Sequence, residues 1–192
     1  MRVSLMNDLL DFEIFKKHQK PLRELSKDDS CAEVCYMTDC EEKALDFDGI
    51  KNEYSDRLGI SQYPKSVDAI LPVRDGFLFI EFKNGCLKQE KNNIRVKLWE
   101  SLIIFCDILS CTISCIRQKS DFILVYNEKK NPSKIPSFDK INNSIAKLAK
   151  ERIVRFGFEQ FKTLYFPLYF RDVFTLTERE FSQYLNNVIL IK

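Results

Sequence analysis

Ser66-Val67-Asp68-Ala69-Ile70-Leu71-Pro72-Val73-Arg74-Asp75-Gly76-Phe77-Leu78-Phe79-Ile80-Glu81-Phe82-Lys83-Asn84-Gly85 is the stretch from which the rest of the chain is read. Val67 to Val73 has the apolar, β-branched character of a strand. Arg74-Asp75-Gly76 is a turn signal, because Asp and Gly tolerate positive φ. Phe77 to Lys83 is the return strand, and Asn84-Gly85 ends it. Side chains in a strand alternate between faces. Leu78, Ile80 and Phe82 therefore share one face, and Phe77, Phe79, Glu81 and Lys83 share the other. A face that opens with two Phe and closes with an acid and a base implies core at one end and a charged rim at the other. Asp68 precedes Glu81 by 13 positions. With the turn centred near Asp75, it falls opposite Glu81 or Lys83, depending on register.

The chain around this hairpin reads as alternating elements. Asp46 or Asp48 is placed to N-cap a helix reaching about Leu58, with Ile50, Tyr54 and Leu58 as its buried stripe and Gly59 as its stop. Downstream, Ile94, Leu98, Leu102, Phe105 and Leu109 recur on one helical face. Phe122 to Tyr126 is a short apolar strand of the kind buried on both faces. Further out, Leu9, Phe12, Ile14 and Phe15 suit an amphipathic helix ending near Pro21, and Glu33 to Thr38 a short strand. Asn127 to Asp139 reads as a polar loop and Ile141 to Arg155 as a helix. Tyr165 to Leu176 reads as a strand broken by Pro167. Thr177-x-x-Glu180 is a capping box opening a last helix through Leu185. The fold class expected is α/β (α+β): a mixed sheet flanked by helices, with a C-terminal helix–strand–helix extension. We expect one domain over 1–192, with a core at 46–126 and the extension, 127–192, packed on it.

Asp68 and Glu81 supply what a hard divalent cation takes, two carboxylates, and Lys83 adds an ammonium able to orient water or offset developing negative charge. The set Asp68…Glu81-Phe82-Lys83 resembles the D…E-x-K signature of the PD-(D/E)XK nuclease superfamily. The flanking Ser66-Val67-Asp68-Ala69-Ile70 and Phe79-Ile80-Glu81-Phe82-Lys83-Asn84-Gly85 share that character. The resemblance covers about residues 46–126, including the helix and strand after the hairpin. It implies a restriction-endonuclease-like fold and Mg²⁺- or Mn²⁺-dependent cleavage of DNA or RNA. It also implies cation binding by Asp68, Glu81 and the main-chain carbonyl of Phe82, and water activation by Lys83. Phage defence or a toxin system is the context such small proteins suggest by analogy.

The chain departs from that pattern in two places. Val67 stands where the signature has Pro. The implied first strand of the sheet is either Glu33 to Thr38 or Ala44 to Phe47. The implied acid on the preceding helix is best met by Glu53, with Glu41, Glu42 and Asp56 as rivals.

Cations near the second helix add to the site. Lys88, Lys91, Arg95 and Lys97 surround its start, where free N–H groups attract phosphate. Lys97, one turn in, is placed to face the carboxylates, although each of these cations alone also suits a solvated face. Lys129, Lys130 and Lys134 extend the basic surface or form an ordinary polar loop. Trp99 reads as packing. Tyr165, Phe166, Tyr169 and Phe170 suit a core or strand better than a partner surface.

Composition bounds the alternatives. The 192 residues are 45% hydrophobic and 30% charged, with 16 Phe and 7 Tyr, which suits a folded globular chain. The net charge of +2 advertises no global field for nucleic acid, so contacts would be local. Only five Gly are present and no G-x-x-x-x-G-K occurs, which excludes a P-loop nucleotidase. His18 is the single histidine, so no Ser–His–Asp or Cys–His relay is credible. The seven Cys lack paired metal-site spacing and, with no export signal at Met1 to Leu10, are expected reduced in a cytoplasmic protein. No stretch is long and apolar enough to suggest a membrane span. Beside the nuclease stand two other classes. One is a catalytically silent nuclease-fold module that binds a protein partner, as immunity or antitoxin proteins do. The other is a globular protein of unrelated fold in which E-x-K is coincidence.

Overall fold

The structure is a computed structural model that describes residues 9, 11–29, 34–74, 76–88, 90–132, 154–156 and 166–189. The first elements are α1 (Glu13–Lys17), β1 (Gln19–Pro21), α2 (Leu22–Leu25), β2 (Lys27–Asp28) and β3 (Cys35–Tyr36). β4 (Lys43–Asp46), α3 (Phe47–Arg57), β5 (Ala69–Val73) and β6 (Gly76–Lys83) follow. Next come α4 (Lys91–Ile108), α5 (Ile113–Arg117) and β7 (Ser120–Tyr126), and last α6 (Phe166–Tyr169), β8 (Asp172–Thr177) and α7 (Glu178–Ile189). Six strands form one sheet in the order β1-β4-β5-β6-β7-β8, while β2 and β3 make a separate two-stranded ribbon. β1, β4, β5 and β6 pair antiparallel, and β7 and β8 run parallel to β6. The chain is therefore mixed α/β, with a mixed sheet flanked by helices.

The alternation of β6 divides two cores. Phe77 and Phe79 lie in the cluster covered by α1, α3 and α4, while Leu78, Ile80 and Phe82 lie in the one capped by α7. The first cluster centres on the ring of Phe105 in α4. Phe77 and Phe79 meet it edge-on at 5.1 and 5.5 Å, and Phe15 and Phe47 close in at 5.7 and 6.2 Å. Such edge-to-face contacts fix rotamers as well as bury area.

Local chemistry explains the boundaries. The β5–β6 turn closes with Val73 paired to Gly76. Gly76 has φ +146°, and a Cβ there would lie 1.6 Å from the Lys119 carbonyl oxygen, so only glycine fits. Pro72 sits in an interior strand without penalty, because β4 pairs β5 only at Ala69 and Ile70. Asp46, of the two candidates, caps α3 by accepting from Gly49 N at 3.2 Å. Gly59 (φ +68°) ends α3 through Gly59 N to Asp56 O and Ile60 N to Ser55 O, the paired bonds of a Schellman motif. The capping box of α7 forms in both directions: Glu180 N donates to Thr177 Oγ1 at 3.2 Å, and Thr177 N donates to Glu180 Oε2 at 2.8 Å.

The structure also corrects the sequence reading. Leu58 is 57% exposed, so the buried stripe of α3 is Phe47 and Ile50, with Tyr54 beside them. The first helix stops at Lys17, because Gln19–Pro21 is drawn into the sheet as an edge strand. Of the two candidate first strands, Lys43–Asp46 joins the main sheet, while only Cys35–Tyr36 of the other is extended, in the ribbon. Phe166–Tyr169 is a helical turn, not strand; Pro167 stands in its first turn, where a missing N–H costs nothing. β8 then joins the edge of the sheet. The helix expected over 141–155 lies outside the described residues up to 153, and Val154 and Arg155 are not helical. Among the described residues no helix is long and apolar enough to cross a membrane, and none of the described cysteines is in a disulfide.

Candidate active site

The hairpin register brings the site together. Ala69 pairs Ile80, so Asp68, one residue before β5, faces Glu81. Two anchors hold Asp68. Val67 N donates to Ser101 Oγ of α4 at 2.9 Å, and Phe82 N donates to Asp68 Oδ2 at 2.6 Å. Glu81 shares its face with Phe77 and Phe79 and is fully buried. Its Oε1 receives Lys97 Nζ at 2.7 Å and Lys83 Nζ at 3.1 Å. Its Oε2 is buried and has no hydrogen-bond partner among the described residues. Lys83 also reaches Glu90 Oε2 at 3.3 Å, and Lys97 reaches Asp68 Oδ1 at 3.4 Å. Two carboxylates and two ammoniums thus converge at the open end of the hairpin.

Burial sets the electrostatics. Glu81 is pushed up to about 8, first by burial and then by the neighbouring Asp68 carboxylate, with Lys97 and Lys83 pulling the other way. Asp68 is raised for the first of these reasons, and Lys97 and the Phe82 N–H moderate it. For Lys97, burial works against the charge, but Asp68 and Glu81 outweigh it and hold the ammonium charged well above its ordinary range.

The structure does not bring Glu53 to this group. Lys17 and Arg57 donate to its carboxylate at 2.7 and 2.5 Å, His18 Nε2 lies 2.8 Å from it, and together they hold it down at about 2. The cleft beside Asp68 is lined neither by the fully buried Glu81 nor by Glu53. Asp48, five positions earlier on the same helix, does line it. Ser66 Oγ and Lys51 Nζ donate to Asp48 Oδ1 at 2.5 and 2.8 Å, and these bonds outweigh its burial and lower its pKa. The sequence had offered Asp48 only as a helix cap. Of the other rivals, Asp56 is bonded by Tyr63.

Of the basic residues expected near α4, Lys97 is the one that reaches the carboxylates. Arg95 instead lies over the Trp99 ring at 4.7 Å, and Trp99 packs on Tyr169 at 5.9 Å. Phe170 is core, meeting Phe79 edge-on at 5.2 Å. Phe82 contributes its main-chain N–H at the site and sends its ring into the other core, against Phe181 at 5.7 Å. Lys134 and Tyr165 lie outside the described residues.

The cleft has a volume of about 810 Å³ and opens between the ribbon, α3 and the end of β6. Its lining holds the carboxylates of Glu24, Asp28, Asp46, Asp48, Asp68 and Glu90 against the ammoniums of Lys20, Lys27 and Lys83. The balance is acidic, so the cleft attracts cations. One wall is an amide network. Asn84 Nδ2 donates to Asp28 Oδ2 at 2.8 Å, Asn127 Nδ2 to Asn84 Oδ1 at 2.7 Å, and Asn131 Nδ2 to the Gly85 carbonyl at 2.8 Å. It ties β6, the turn after β7 and the ribbon together. In the sequence, Asn84-Gly85 signalled only a strand end.

A divalent cation fits the residues present. A buried carboxylate oxygen without a partner, beside a second carboxylate, is a donor set that such a cation satisfies. Among the described residues no cluster of three or more His, Cys, Asp or Glu side chains could hold a metal. Asp68 and Glu81 are the two carboxylates that could hold one. That suits Mg²⁺, which commonly keeps several waters and takes one or two carboxylates plus substrate phosphate. Comparison with protein-family models, with curated proteins and with solved structures finds no match to this chain.

Proposed function

We propose that this chain is a Mg²⁺- or Mn²⁺-dependent phosphodiesterase acting on DNA or RNA. The observation that carries the reading is the convergence of Asp68, Glu81 and Lys83 at one end of the hairpin, with Glu81 Oε2 buried and unpartnered. The order of hairpin, helix and parallel strand is also the one that the PD-(D/E)XK resemblance implies. Asp68 and Glu81 would hold the cation, whose chemistry is to polarise a phosphodiester oxygen and acidify bound water. Lys83 Nζ, anchored between Glu81 and Glu90, would orient the attacking water and offset charge growing on the phosphate. The Phe82 N–H fixes the Asp68 carboxylate so that its second oxygen faces the site.

A second reading has its own observation. The Lys97 ammonium already contacts both carboxyl groups, which favours a catalytically silent module that binds a protein partner, as immunity and antitoxin proteins do. Incubation with single- and double-stranded DNA and RNA in Mg²⁺, Mn²⁺ or EDTA separates the two. Cleavage that requires the cation and falls by about 10²-fold or more in Glu81→Ala and Lys83→Ala supports the enzyme. Cleavage that survives in both variants rejects the assignment. Absence of cleavage by folded protein moves the reading to the binding module.

A further inference from the structure

The proposed chemistry uses Asp68, Glu81 and Lys83 and leaves Lys97 without a part. Yet Lys97 is the cation most firmly seated at the site. It comes from α4, not from the hairpin, and its side chain is only 18% exposed. Its Nζ lies 2.7 Å from Glu81 Oε1 and 3.4 Å from Asp68 Oδ1, so one ammonium bridges both carboxylates. Lys83 differs. It shares Glu81 Oε1 at 3.1 Å, but its second partner is Glu90 Oε2 at 3.3 Å, where that of Lys97 is Asp68. The Phe82 N–H takes Asp68 Oδ2, so the Asp68 oxygen left for a cation is Oδ1, the one Lys97 holds, and an ammonium and a divalent cation cannot both sit on it.

We infer that Lys97 is a built-in competitor for the cation position, and that a divalent cation binds the Asp68–Glu81 pair only by displacing its ammonium. Binding is weakened by the bridge that must break. Lys97, on its four-carbon stem, then turns from the carboxylates toward the cleft. The inference rests on the cation-binding reading above and adds a residue that controls affinity.

Calorimetric titration with Mn²⁺, without substrate, tests it on wild type, Lys97→Met and Lys83→Met. The expected result is tighter binding in Lys97→Met, on the order of tenfold or more, with a clearly smaller gain in Lys83→Met. Both variants remove one positive charge beside Glu81, so equal gains would reflect charge alone and overturn the inference. Unchanged or weaker binding in Lys97→Met, with wild type still binding Mn²⁺, overturns it too and leaves the cation-binding reading standing. Absence of Mn²⁺ binding in all three sinks that reading and the inference with it. If Lys97→Met does not fold, Lys97→Gln, which keeps a donor for Glu81 Oε1, is titrated under the same criteria.

Discussion

Glu81 is the residue on which the site turns. An unfolded chain ionises it near its ordinary value of 4.5, the folded chain not until about 8. Below the lower value both states hold the proton and the fold keeps its full stability. As pH rises toward the upper value, the unfolded state gains a charge that the buried position resists, so stability is lost. Urea unfolding in EDTA should therefore show wild type weakening between about pH 5 and pH 8, relative to Glu81→Gln, which has no carboxyl at this position. A pH-independent difference between the two proteins would contradict the burial of this carboxylate. The motif was legible here because Asp68, Glu81 and Lys83 stand at the ends of two apolar strands around one turn. Glu53 illustrates the opposite case. Its position on α3 suited the site, but two of the side chains that claim it, Lys17 and His18, come from α1 and the turn after it, far away in sequence.

At the scale of elements, turns and caps decide where each piece stops. Gly76 and Gly59 both have positive φ, but only Gly76 lies against backbone, at Lys119, while Gly59 has open space. Gly59→Ala should cost about 1 kcal/mol from its backbone conformation alone. Gly76→Ala should cost several times as much, about 2–4 kcal/mol, since the turn itself must move. Equal losses in urea titrations would mean that the Lys119 contact yields easily. Thr177→Ala removes one of the two reciprocal bonds that open α7 and should cost about 1 kcal/mol, read from the same unfolding midpoints. These local signals were visible in the sequence because a cap or a positive-φ glycine acts within a few residues. The edge strand Gln19–Pro21 was not visible. Three residues carry no period, and what makes them a strand is pairing with Lys43–Leu45.

At the scale of the whole molecule, charge separates the cleft from the chain. The protein carries a net +2, yet the cleft lining holds more carboxylates than ammoniums. A polyanion should then approach only when a divalent cation screens the site. Fluorescence anisotropy of labelled oligonucleotides should show binding in Ca²⁺ that weakens on the order of tenfold or more in EDTA. Binding that ignores the cation would point to a contact surface elsewhere on the protein.

The sequence by itself determined the hairpin, the two helices that flank it and the capping box of α7, because periodicity and turn chemistry are local. It also placed Asp68 opposite Glu81 or Lys83, and the strand pairing of the folded chain chose Glu81. Tertiary structure alone decided the rest. It chose Lys43–Asp46 over Cys35–Tyr36 as the strand beside β5, because that choice depends on which segment finds an open sheet edge. It brought Lys97 and Ser101 of α4 onto the hairpin, passed over Glu53 and turned Asp48 toward the cleft. Which charged side chains meet is settled by how helices pack on a sheet, and residues distant in sequence give no sign of that packing until the core has formed.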